Sequence, residues 1–302
     1  MKPLLIVALA LATVAQSQTP LMPLTAETRV TTNADGAVSA QSVERIQLKD
    51  GQSAEWRKSA SLTRETKPGC AETTETIVQS AIQGQPAQTI QRTTSREKTD
   101  SGETIRISEV TRNALGKDVG QRVVEETAQR QPDGTTSVRV VEQGLDARGQ
   151  LAVQREEQRR IREQGATQTV IENQIRTYDH LRGRFDVTAI QTTDIRKQGD
   201  TTRTETTIRR AAGDQNRIVG RVQTTETKTA GGAVQREIVE YGQGLYDKIS
   251  ALSTGELKPK RKIVERRVQN PDGSSSLTRE VFRLDVNGDW KPVPPNWVGD
   301  TP

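Results

Sequence analysis

The chain has 302 residues, of which 31% are apolar and 3% aromatic, well under the apolar share of roughly 45–50% in ordinary globular domains. Its 44 basic and 39 acidic residues leave a net charge of +5 and are interleaved along the chain, not gathered in blocks. So weak a field, without a basic stripe or aromatic platforms, excludes nucleic acid as an expected partner.

At the N-terminus, Lys2 supplies a short positive region, Leu4 to Ala15 an apolar run, and Ala15-Gln16-Ser17 a small-residue cleavage site. Residues 1–17 are therefore expected to be a bacterial-type secretory signal peptide. The run is too short to span a bilayer, and no later stretch is apolar enough to do so as a helix. The protein is expected outside the cytoplasm, secreted, periplasmic or at the cell surface. Cys70 is the single cysteine, so no intrachain disulfide can form even in an oxidising compartment.

From there on, glycines measure out the chain. Gly36, Gly69, Gly102, Gly134, Gly165, Gly199, Gly232 and Gly273 recur at separations of 33, 33, 32, 31, 34, 33 and 41 residues. Most close a turn-type cluster, such as Asn33-Ala34-Asp35-Gly36, Gln131-Pro132-Asp133-Gly134 or Asn270-Pro271-Asp272-Gly273. A second set lies about midway: Gly51, Gly84, Gly116, Gly149, Gly183, Gly213 and Gly288. The chain is thus expected to reverse about every 16 residues, the signature of a repeat architecture.

The segments between turns alternate with period two. Ile105 and Ile107 share one face, as do Val138 and Val140. Thr-rich stretches such as Arg221 to Thr229 favour extended chain. Leu151 to Gln164, rich in Gln, Glu and Arg, has a helical composition, but its place between two turn glycines assigns it to a strand. A triplet of two β-branched residues and a glutamate recurs at 123–125, 140–142, 170–172, 238–240 and 263–265. The expected fold is all-β: a repetitive antiparallel β-hairpin meander of about eight two-strand units. It is expected to be elongated, partly curled and thin-cored, because so few large apolar residues are available. The repeat region is set at 18–284, with an insertion at about 244–262 in the long last interval.

Chemistry is sparse. His180 is the only histidine and Cys70 the only thiol, too few for a zinc site. No nucleophile elbow and no calcium loop is present, so no catalytic, metal or cofactor residues are expected. The tail, residues 285–302, gathers Trp290, Trp297 and four prolines, and reads as a cap on the last unit or a binding platform. The leading functional expectation is an exported non-enzymatic repeat protein, a structural, surface, matrix or binding component. Its expected partners are its own copies or cell-surface polysaccharide. Two alternatives stand beside it: an outer-membrane β-barrel, and a carbohydrate-active hydrolase with dispersed carboxylates.

Overall fold

The computed structural model describes residues 24–48, 52–80, 87–212, 215–229, 231–242, 257–285 and 287–293. The signal-peptide segment, Trp297, Gly51, Gly84, Gly213 and most of the expected insertion lie outside these residues. The described chain is all strand and turn. The first eight strands are β1 (Leu24–Thr32), β2 (Val38–Gln47), β3 (Ser53–Lys67), β4 (Cys70–Gln79), β5 (Gln88–Lys98), β6 (Gly102–Asn113), β7 (Asp118–Arg130) and β8 (Thr136–Leu145). Then follow β9 (Leu151–Gln164), β10 (Gln168–Asp179), β11 (Arg184–Gln198), β12 (Thr201–Ala212), β13 (Gln215–Lys228) and β14 (Val234–Gly242). The last are β15 (Lys258–Gln269), β16 (Ser275–Leu284) and the three-residue β17 (Trp290–Pro292). Leu151–Gln164 is strand, and β15 takes up residues 258–262 of the expected insertion.

Each strand pairs antiparallel with the next, as in a meander. The expectation of an elongated, partly curled sheet is corrected by one pairing: β1 also pairs with β16, Leu24 opposite Arg279 through Thr28 opposite Ser275. The first sixteen strands therefore close into a barrel. Two features of the chain account for closure. The first is stagger. Successive partners from Thr32 run Val38, Thr63, Thr73, Thr94, Ile107, Val124, Glu142, Arg155 and Thr177. That path starts at one rim and ends near the other, so the strands are steeply tilted, as a closed sheet requires.

The second feature is a row of bulges. Apart from one shift at Glu65/Lys67, beside the β3–β4 turn at the other end, the register shifts opposite Glu44/Arg45, Thr111/Arg112, Glu142/Gln143, Ile175/Arg176, Ile208/Arg209 and Glu240/Tyr241. These leave Trp56, Val119, Gln154, Thr188, Val219 and Lys260 as the extra residues, each near the start of an odd-numbered strand. All six thus lie toward the same end of the barrel, and each bulge adds local twist and bends its strand. A sheet of this width normally curls, splits or closes, and the bulges tip it to closure.

The two ends differ accordingly. Gly36, Gly69, Gly134, Gly165, Gly199, Gly232 and Gly273 sit in odd-to-even turns with φ between +57° and +82°. In that region a Cβ would clash with the backbone. Gly102 belongs to the same rim for another reason: a Cβ there would lie 1.9 Å from the Ala128 carbonyl oxygen. We call this end the ruler rim. The other, where the bulges lie and where β1 begins and β16 ends, is the bulge rim.

Pairing carries face identity around the barrel without a break, and burial shows which face is inward. Leu24, Ala26, Ile46, Ile77, Val124, Val138, Val140, Ile171, Ile175 and Val281 are buried and share one face. Their alternate neighbours are mostly exposed, because side chains crowd on the concave side of a curved sheet. Two clusters concentrate the apolar contacts. Leu24, Ile46 and Trp56 pack with Leu48, and Val124, Val138 and Val140 pack with Ile107, Ala128 and Ile161. Strands pack chiefly on their hydrogen-bonded neighbours, and a sixteen-strand wall of this kind leaves room for water inside.

Candidate functional site

The inner face is held together by charge as much as by apolar contact. Because partners directly opposite in register share a face, Arg and Glu on successive strands meet in a ladder. Glu75 Oε2 of β4 is 2.8 Å from Arg92 Nη1 of β5, whose Nε is 2.6 Å from Glu109 Oε1 of β6. Glu109 Oε2 is 3.2 Å from Arg122 Nη1 of β7, and Arg122 Nε is 2.7 Å from Glu142 Oε1 of β8. Glu142 stands opposite Arg155 of β9. Arg155 then pairs with Glu157 at 2.6 Å, and Glu157 with Arg159 at 2.7 Å. Arg159 reaches back to Glu126 of β7 at 3.4 Å. On β10, buried Asn173 donates to Glu157 Oε2 at 3.1 Å.

Two glutamates here are pushed in opposite directions. Burial raises the Glu126 carboxyl above the ordinary range, and its neighbours Glu157 and Glu103 add to this while Arg159 opposes it. Burial also raises Glu157, but Arg159, Arg155 and Asn173 together outweigh it and hold that carboxyl low. Carboxyls with pKa values driven apart are what an acid/base pair needs. Here, however, Arg159 is tied to both, and Glu157 is held by Arg155 and Asn173 as well. The ladder is chemically a brace.

Sequence-predicted positions fall elsewhere. Trp290 lies in β17, paired with Leu284, and Lys262 Nζ sits 5.4 Å from its ring centroid. His180 is exposed on the β10–β11 turn, its ring 5.1 Å from that of Tyr178 and edge-on to it. Cys70 opens β4 as a half-buried free thiol. Among the described residues, no group of His, Cys, Asp and Glu is arranged to hold a metal ion. The five repeat triplets divide: Val140/Glu142, Ile238/Glu240 and Ile263/Glu265 point inward, whereas Val123/Glu125 and Val170/Glu172 occupy the outward register.

One open groove of about 840 Å³ lies on the outer wall beside the β7–β8 turn. It is lined by Asp133, Gln158, Arg160, Glu172, Gln174 and Arg209 among others, and by no aromatic ring. Asp133 and Arg160 are paired there at 2.9 Å. The rest of the outer wall is polar within the strands and not only at their ends: Glu72, Arg106, Arg139, Glu172, Glu205, Glu237, Arg266 and Glu280 are all exposed.

Sequence reading missed the ladder, although a local trace of the bulges exists. Glu142-x-Gly144 and Glu240-x-Gly242 are alike, and a Cβ at Gly144 would lie 2.6 Å from the Gln154 side chain. At Gly242 it would lie 2.7 Å from that of Lys260. In both, the bulged residue folds across a glycine next to an inward glutamate. Compared with known proteins, the chain matches no family model, and no curated protein or solved structure is similar to it.

Proposed function

We propose that this is an exported, non-enzymatic barrel that works in water as a structural or binding component. The observation that carries the reading is the outer wall, where exposed Arg, Lys and Glu stand within strand after strand. A bilayer-spanning barrel instead presents an apolar band about 25 Å tall, in which each Arg or Lys at mid-depth costs about 2–4 kcal/mol. The inner ladder supports the non-enzymatic part, since its glutamates are committed to arginines.

The closed sixteen-strand wall is the specific observation that favours an outer-membrane barrel. Fractionation separates the two. Released from cells without detergent, the chain is expected in the soluble fraction as a monodisperse species with a β-type circular dichroism spectrum. Recovery only with detergent, in a membrane pellet that resists carbonate, would overturn the proposal.

A further inference from the structure

The same five-residue turn is used on both rims, but its tip carries different chemistry. In each, the first residue's N–H donates to the fifth carbonyl and the glycine N–H donates back to the first carbonyl. This holds for 33–37, 131–135 and 270–274 on the ruler rim, and for 113–117, 146–150 and 285–289 on the bulge rim. On the ruler rim the residue before the glycine is Asp35, Asp133 or Asp272, whose Oδ1 accepts from the backbone N–H two residues on. On the bulge rim that capping passes to the first residue. Asn113 accepts from the N–H groups of Leu115 and Lys117, and Asp146 from those of Arg148 and Gln150. The tip is thereby released from structural duty.

In two of these turns the tip is Leu115 or Arg148, apolar or basic, and in the third it is the exposed Asn287. Leu115, on the β6–β7 turn, is 92% exposed, and Leu181, two turns along the rim on the β10–β11 turn capped by Asp179, is 99% exposed. Lys117 and Arg148 are exposed beside them and make no ion pair among the described residues. Both leucines cap nothing and bury nothing, so their side chains are free to enter an apolar layer.

We propose that the bulge rim docks on an anionic lipid surface, Leu115 and Leu181 entering the headgroup layer while Lys117 and Arg148 meet its phosphates. The leucines stand on separate turns with the β8–β9 turn between them. A protein partner would need a matched pocket for each, whereas a fluid headgroup layer accepts each tip independently. Charge favours the same orientation. The contrast lies at the turn tips: on the ruler rim they carry exposed Asp35, Asp100, Asp133, Asp200 and Asp272, which an anionic surface repels, with the exposed Lys67, Lys98, Arg130, Lys197 and Lys228 set behind them on the strand ends. Docking of this kind rests on the wall being water-exposed, as proposed above.

Flotation of the exported chain with vesicles tests it, using phosphatidylglycerol-containing vesicles against phosphatidylcholine alone. The chain is expected to float with the anionic vesicles, less so as salt rises. In L115S/L181S binding should fall by about tenfold or more with circular dichroism unchanged. K117E/R148E should weaken binding to anionic vesicles, and V30S on the ruler rim should leave it intact. Wild-type chain that ignores vesicles overturns the proposal, as does equal flotation of L115S/L181S. A leucine-dependent dimer in lipid-free solution without flotation also overturns it, assigning the rim to a second copy. A chain soluble without detergent that fails to float ends this inference alone. A chain that needs detergent instead ends the reading of the wall.

Discussion

The wall formed by β7, β8 and β9 and the wall formed by β11, β12 and β13 share a backbone plan and differ in what lines their inner faces. The first has Val124, Val138 and Val140 buried between the arginine–glutamate pairs. The second presents Thr193, Thr202, Thr204, Thr206 and Thr224, and among the described residues none of the buried apolar side chains belongs to it. Thr193 and Thr206 meet hydroxyl to hydroxyl at 2.9 Å. One wall gains from apolar burial and low-exposure charge pairing. The other relies on backbone ladders and cross-strand threonine contacts worth about 0.2–1 kcal/mol each. Both stay closed, so the backbone pairing is what they have in common and the side chains decide how firmly each region holds.

Substitutions can break that comparison, and the largest effect is expected at Arg159. Replacing it with Met takes the arginine from Glu126 and leaves Glu157 with only Arg155 and Asn173, and should cost about 2–4 kcal/mol. Urea unfolding measures it, and a cost under about 0.5 kcal/mol would mean the ladder is ornamental. Next is Val124→Ala, expected to cost about 2 kcal/mol from two lost methyl groups and the cavity left behind. Val222→Ala on β13, half-buried, should cost about half of that or less. Equal midpoint shifts would erase the distinction between the walls.

Acid sharpens the comparison further. Glu157 is held low in the fold, so its contribution is present at neutral pH and is lost as pH falls through its lowered value. Glu126 is held high, so its contribution has the reverse sign and declines as pH rises through the raised value. Glu157→Gln should therefore destabilise at pH 7 and matter little in strong acid, whereas Glu126→Gln should be neutral or stabilising at pH 7. Unfolding midpoints across pH would expose the opposite result. The smallest change is expected at Thr193→Val, within about 0.5 kcal/mol, since a lost hydroxyl contact is offset by higher β propensity. Hydrogen exchange on β11 and β12 would detect any larger loosening.

Much of the local plan was legible in the residues themselves. An Asp-Gly pair favours a tight turn in which the glycine takes φ > 0, so Gly36, Gly134 and Gly273 declared their turns without tertiary help. Period-two patterning made strands of the segments between, and for Leu151–Gln164, where composition suggested a helix, the turn glycines on either side did so. Turn chemistry and alternation act over a few residues, and a single sequence records them.

Closure and facing belong to the tertiary structure. The seam between β1 and β16 joins Thr25 to Thr278 and Glu27 to Ser276, residue types common along the chain that carry no address. It forms because stagger and six bulges bring the ends of the sheet together, and those add up over the whole chain. The same holds for the triplets: Val140-Val141-Glu142 and Val123-Val124-Glu125 read alike. Yet their glutamates lie on opposite faces, because a one-residue change of phase inverts a strand. The ladder from Glu75 to Glu126 exists only once that register is set. Its members lie far apart in sequence, and the pairing depends on which residues the closed sheet places side by side.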